Sequence, residues 1–75
     1  MVDFKELSVA GSFLIAPQVH ADSRGEFIES FRRDLLREAT GLDLVAAQAN
    51  LSVSSRGTLR GIHYADVPPG QAKYV

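Results

Sequence analysis

Three side chains in the last sixteen positions of the 75-residue sequence could carry chemistry: Arg60, His63 and Lys73. An imidazole can take a proton near neutral pH, while a guanidinium and an ammonium can hold anionic oxygen. Together they suggest an anionic substrate handled by a base. Spacing alone does not separate that reading from a structural one, since a lone histidine is more often structural than catalytic. His20 and His63 are too isolated to argue for a metal. No G-x-G-x-x-G, Walker loop or nucleophile elbow occurs, which leaves dinucleotide binding, phosphoryl transfer and serine hydrolysis without support.

The elements that must position these groups follow from the patterning. Residues 9–16 alternate with period 2 and predict a first short strand pair, which Pro17 confines to an edge or a strand end. Asp22-Ser23-Arg24-Gly25 has turn chemistry and predicts a hairpin or loop tip. Residues 26–31 then alternate, placing Glu29 on one face with Phe27 and Phe31. A carboxylate on an aromatic face costs desolvation energy unless it is paired or contacts a ligand. The alternative is a short strand from which Glu29 reaches water.

Residues 32–40 carry Leu35, Leu36 and Ala39 at helical spacing, with Gly41 placed to close the helix as a left-handed cap. Arg32, Arg33, Asp34, Arg37 and Glu38 read as its solvated face. From residue 44 to 54 the pattern returns to period 2: Val45, Ala47, Ala49, Leu51 and Val53 on one side, Gln48, Asn50, Ser52 and Ser54 among the other. That sorting predicts a strand with one face on a core and the other lining water or a polar cavity. A turn at Ser55-Arg56-Gly57, a strand over 58–64 with a kink permitted at Gly61, and a rigid turn at Val67-Pro68-Pro69-Gly70 follow. Residues 71–75 open a further strand without a closing turn, which predicts the N-terminal part of a longer, mainly β domain of sandwich or barrel type.

Composition bounds the partners. Eight Lys and Arg against nine Asp and Glu give a formal net charge of -1, which disfavours nucleic acid and acidic lipid as ligands. Hydrophobic residues at 45% and charged residues at 23% belong to a folded chain rather than a disordered one. The absence of cysteine removes disulfides, thiolate metal sites and thiol nucleophiles. The longest apolar runs are four residues, far below the roughly 20 that span a bilayer. With no basic segment followed by an apolar stretch at the start, a cytoplasmic location is expected.

The motifs in order go further. Asp22-Ser-Arg24-Gly25-Glu-Phe27-Ile-Glu29, Gln48-Ala-Asn50-Leu-Ser52, Gly57-Thr-Leu59-Arg60-Gly61-Ile-His63-Tyr64 and Pro68-Pro-Gly-Gln71-Ala-Lys73 together resemble the dTDP-4-dehydrorhamnose 3,5-epimerase family of cupin-like sugar-nucleotide epimerases. D-x-R-G alone is common. The run L-R-G-I-H, with Lys ten residues after the His within Q-x-K, is specific. The resemblance spans nearly the whole chain and about the first two-fifths of a family member, so residues 1–75 are expected to be the N-terminal part of a single jelly-roll β-sandwich domain with one short helix.

The resemblance implies isomerisation of dTDP-4-keto-6-deoxy-D-glucose at C3 and C5, with C3-only or C5-only epimerases as close variants. The other class of reading is a non-catalytic binding or dimerisation module. Matched to the family, His63 takes the place of the base that removes a proton beside the 4-keto group, and Lys73 that of the residue stabilising the enolate oxygen. Arg60 matches a contact near the diphosphate, and Gln48 and Asn50 the segment lining the nucleotide and sugar pocket. Arg24 and Glu29 match nucleotide contacts that the neighbouring subunit supplies in part, through exchange of N-terminal strands in a homodimer. No metal or other cofactor is implied. Leu51 and Ala65 depart from the common pattern, where many relatives carry His and Gln. The family's tyrosine acid and the Asp that orients the base lie beyond Val75, and neither Tyr64 nor Tyr74 matches the acid. The 75-residue chain by itself is therefore expected to be inactive.

Overall fold

The two N-terminal strands form a hairpin whose register is set by the turn inside it. In the computed structural model, which describes residues 2–75, β1 (Asp3–Glu6) pairs antiparallel with β2 (Phe13–Ala16), Phe4 facing Ile15 and Glu6 facing Phe13. Leu7 to Ser12 make the connection: Leu7 N–H donates to the Ser12 carbonyl at 2.8 Å, and the turn from Val9 is closed by Ser12 N–H to the Val9 carbonyl at 3.1 Å and by the Ser12 hydroxyl to the same oxygen at 2.6 Å. Residues 9–11 are therefore turn, not strand, which corrects the expected start of the first strand pair. The partner strand DFKE has one apolar residue in four and shows no alternation of its own; it is a strand because β2 pairs with it. β2 ends at Ala16, directly before Pro17, whose ring nitrogen has no hydrogen to donate to a ladder.

A second hairpin joins β3 (Val19–Asp22) to β4 (Gly25–Ile28) through Ser23 and Arg24. Neither loop residue has a positive φ; that conformation falls on Gly25, at φ 130°, where a side chain would be strained. Asp22 holds the turn by accepting the Arg24 backbone N–H on Oδ1 at 2.8 Å. The register then places His20 opposite Phe27, with ring centroids 6.5 Å apart.

α1 (Arg33–Thr40) follows the expected bounds, with Arg32 as N-cap and Gly41 as a left-handed cap at φ 76°, its N–H donating to the Arg37 carbonyl at 2.8 Å. Asp34 stands in the first turn, where a negative charge complements the helix dipole. Leu36 points inward at 7% exposure and is the buried hydrophobic residue among those described. The charged face is largely solvated as expected: Arg33 pairs with Asp43 at 2.7 Å, and both are exposed.

The chain divides into two units, Met1–Val45 and Ala46–Val75. The second contains hydrogen-bonded turns at the two expected places, Thr58 N–H to the Ser55 carbonyl at 3.1 Å and Gly70 N–H to the Val67 carbonyl at 2.7 Å. The strands expected over 44–54, 58–64 and 71–75 are not formed among the described residues. Alternation sorts side chains, but a strand also needs a neighbour to pair its backbone, and no segment of this unit supplies one. Its apolar residues are correspondingly uncovered, with Leu51 92% and Val53 84% exposed. Among the described residues the fold is thus mainly β, four strands in two antiparallel pairs with one short helix.

Candidate functional site

In the first unit, residues of the two hairpins and the helix line an open cleft of about 750 Å³, within the size range of small-molecule sites. Phe4 comes from β1, His20 from β3, Phe27 from β4, and Leu35, Glu38 and Ala39 from α1; Val2, Gln18 and Glu29 complete the lining. Phe27 and Glu29 reach it together because they are two residues apart along extended backbone. Phe31 is not part of that lining. β4 stops at Ile28, so Glu29 lies one residue past the ladder, half-exposed, and its carboxylate accepts Arg32 Nη1 at 3.3 Å. The short strand and the ion pair together remove the desolvation problem that its aromatic neighbours would create.

Arg32 is held from its other side by Asp34 in a two-bond fork, Nε to Oδ1 at 2.9 Å and Nη2 to Oδ2 at 2.6 Å. The guanidinium lowers the Asp34 carboxyl to about 2, chiefly through this hydrogen bond, and the two carboxylates raise the Arg32 pKa in turn. Arg24 projects from the tip of the second hairpin, its guanidinium bonded to Asp22 Oδ2 at 2.6 Å by Nη2 and 3.2 Å by Nε. That contact lowers the Asp22 pKa.

The second unit carries the other expected site residues. Gln48 Nε2 donates to Asn50 Oδ1 at 3.1 Å, so these two amides lie on the same side of the chain, as their spacing predicts. Arg60 Nε donates to Ser54 Oγ at 2.7 Å and Nη2 to the Val53 carbonyl at 3.4 Å, which ties the arginine back across the turn at 55–58. His63 and Lys73 are exposed, and no hydrogen bond joins them. Among the described residues, no group of three His, Cys, Asp or Glu is arranged to hold a metal ion, and no helix is long and apolar enough to cross a membrane.

Sequence reasoning singled out Glu29 but not His20, Glu38 or Arg32 as its surroundings. The signal for His20 lay in the two-residue hairpin loop, which fixes it opposite Phe27. Glu38 sits at the cavity rather than on a purely solvated face because it follows Leu35 by one helical turn.

Residues 6–75 match the family described as dTDP-4-dehydrorhamnose 3,5-epimerase, and the chain belongs to that family. It is 54% identical over 71 residues to a dTDP-4-dehydrorhamnose 3-epimerase of Streptomyces niveus, covering 95% of this chain and 34% of that protein. It is 52% identical over 71 residues to a dTDP-4-dehydrorhamnose 3,5-epimerase of Mycolicibacterium smegmatis, covering 95% and 35%. A dTDP-4-dehydro-6-deoxyglucose 3-epimerase of Streptomyces bikiniensis is 52% identical over 68 residues, covering 91% and 35%. The chain thus spans about a third of the length of the curated relatives it matches.

Proposed function

We propose that these residues are the N-terminal part of a cupin-like jelly-roll epimerase domain that acts on dTDP-4-keto-6-deoxy-D-glucose in deoxysugar biosynthesis. The observation that carries this reading is the family match over residues 6–75, which takes in His63 and Lys73. His63 removes the proton from the carbon beside the 4-keto group, the electron pair moves to the keto oxygen, and the Lys73 ammonium donates to the resulting enolate. Neutral imidazole is far too weak a base for a carbon acid unless the developing oxyanion meets such a donor. Reprotonation on the opposite face inverts the carbon and uses an acid from outside this chain.

Arg60 holds diphosphate oxygens, to which its forked donors are suited. Gln48 and Asn50 line the sugar and nucleotide pocket; Arg24 and Glu29 reach the nucleotide of a partner subunit in a homodimer with exchanged N-terminal strands. The protein works in the cytoplasm, without cofactor, nucleic acid or membrane. The uncovered apolar side of residues 45–53 takes its place against the core of the complete jelly roll, and residues 46–75 become strands there.

Epimerisation at C3 is the step common to all three relatives' names. A C3-only enzyme is the second reading, supported by 54% and 52% identity to two 3-epimerases beside 52% to a 3,5-epimerase. Solvent deuterium wash-in at C3 and C5, followed by NMR for the protein of family length beside the 75-residue chain, separates them. Exchange at both carbons by the longer protein alone supports the 3,5-epimerase; exchange at C3 alone supports the second reading; exchange at neither refutes both.

A further inference from the structure

We propose that Arg32 is a positioning residue for Glu29, fixing the carboxylate at the cavity so that one oxygen is held and the other is presented to the nucleotide. The proposal rests on the reading of Glu29 as a nucleotide contact. Its basis is the chain of contacts from the start of α1. Asp34, in the first helical turn, takes two edges of the Arg32 guanidinium, Nε and Nη2, and thereby fixes the plane of the group. The remaining corner, Nη1, lies 3.3 Å from Glu29 Oε1. Glu29 stands half-exposed outside the β4 ladder, so the Arg32 contact, rather than packing, holds its carboxylate.

A glutamate that must find its rotamer on binding loses side-chain freedom at that moment; one already held has lost it beforehand, and the ligand binds more tightly for it. Oε2, left over by the Arg32 contact, can then accept from an N–H or O–H donor of the nucleotide. Arg32 touches no ligand in this account and acts only through Glu29.

The test is a double-mutant cycle in the protein of family length, with dTDP as the probe and calorimetric affinity as the readout. Arg32→Ala is expected to weaken dTDP binding about threefold to fivefold, the range an exposed ion pair supports, and to leave it within about 1.5-fold in a Glu29→Ala background. Arg32→Lys, which keeps the charge and loses the fork, is expected to behave as Arg32→Ala does. Equal losses from Arg32→Ala in both backgrounds, or full affinity in Arg32→Lys, would overturn the proposal in favour of simple charge attraction to the anionic ligand. Unchanged affinity in Glu29→Ala alone would overturn the underlying reading of Glu29 as well.

Discussion

At the tip of the second hairpin, Arg24 is bonded to Asp22 through both its backbone and its side chain: its backbone N–H donates to Asp22 Oδ1 at 2.8 Å, and its Nη2 and Nε donate to Oδ2 at 2.6 and 3.2 Å. One aspartate thus shapes the turn and aims the guanidinium. The D-x-R-G motif is accounted for locally, with Asp22 closing the turn, Arg24 displayed at its tip and Gly25 supplying the positive φ.

Gly25→Ala separates the backbone requirement from packing, because no atom beyond its own residue and its two chain neighbours lies within 4 Å of where its Cβ would stand. The cost is then conformational alone, about 1–3 kcal/mol for an L-residue held at so sparsely populated a φ. Amide hydrogen exchange across the Val19–Ile28 pair should accelerate by about tenfold or somewhat more, about 1.4 kcal/mol being one factor of ten. Unchanged protection would mean that the hairpin does not depend on that φ.

The Asp34 carboxyl should titrate with a midpoint near 2 in carboxyl-observed NMR and return to the ordinary carboxylate range in Arg32→Ala. Its folded-state pKa is depressed, so the stabilisation it gives is present above the unfolded value of 3.8 and is lost as pH falls towards 2. A midpoint near 3.8 in the wild type would contradict the fork.

Leu36→Ala removes the one buried hydrophobic side chain among the described residues, at 7% exposure. Loss of such a side chain costs about 2–5 kcal/mol, and the lower end is expected where neighbours are partly open to water. Helical circular dichroism and the melting temperature should both fall. A drop of less than about 0.5 kcal/mol, the scale of an ordinary surface substitution, would show that α1 is not anchored through this residue.

Lys73→Ala in the protein of family length should lower kcat by about 10²–10³, the usual loss for one oxyanion donor, with a much smaller change in KM. A loss confined to KM would make Lys73 a phosphate or nucleotide contact instead.

Much of the first unit was legible in its residues. Leu35, Leu36 and Ala39 gave the helix, Gly41 its end and Asp22 to Gly25 the turn, since each of these signals is local. β1 and β3 were not legible, because DFKE and VHAD owe their strand form to the partner that pairs with them. Residues 44–54 failed in the opposite sense: the alternation is clean, yet no neighbouring strand in this unit pairs with it. The contact between the Gln48 and Asn50 amides was legible by spacing, and the position of Glu29 at the cavity by its unusual company. Arg32 was hidden among helix charges because its significance depends on where β4 ends.

The most direct test of the account is deuterium wash-in at C3 of dTDP-4-keto-6-deoxy-D-glucose by the protein of family length, compared with its His63→Ala variant under conditions where both bind dTDP equally. The account predicts exchange in the wild type and a fall of about 10²-fold or more in the variant. Exchange at an unaltered rate without the imidazole would contradict it.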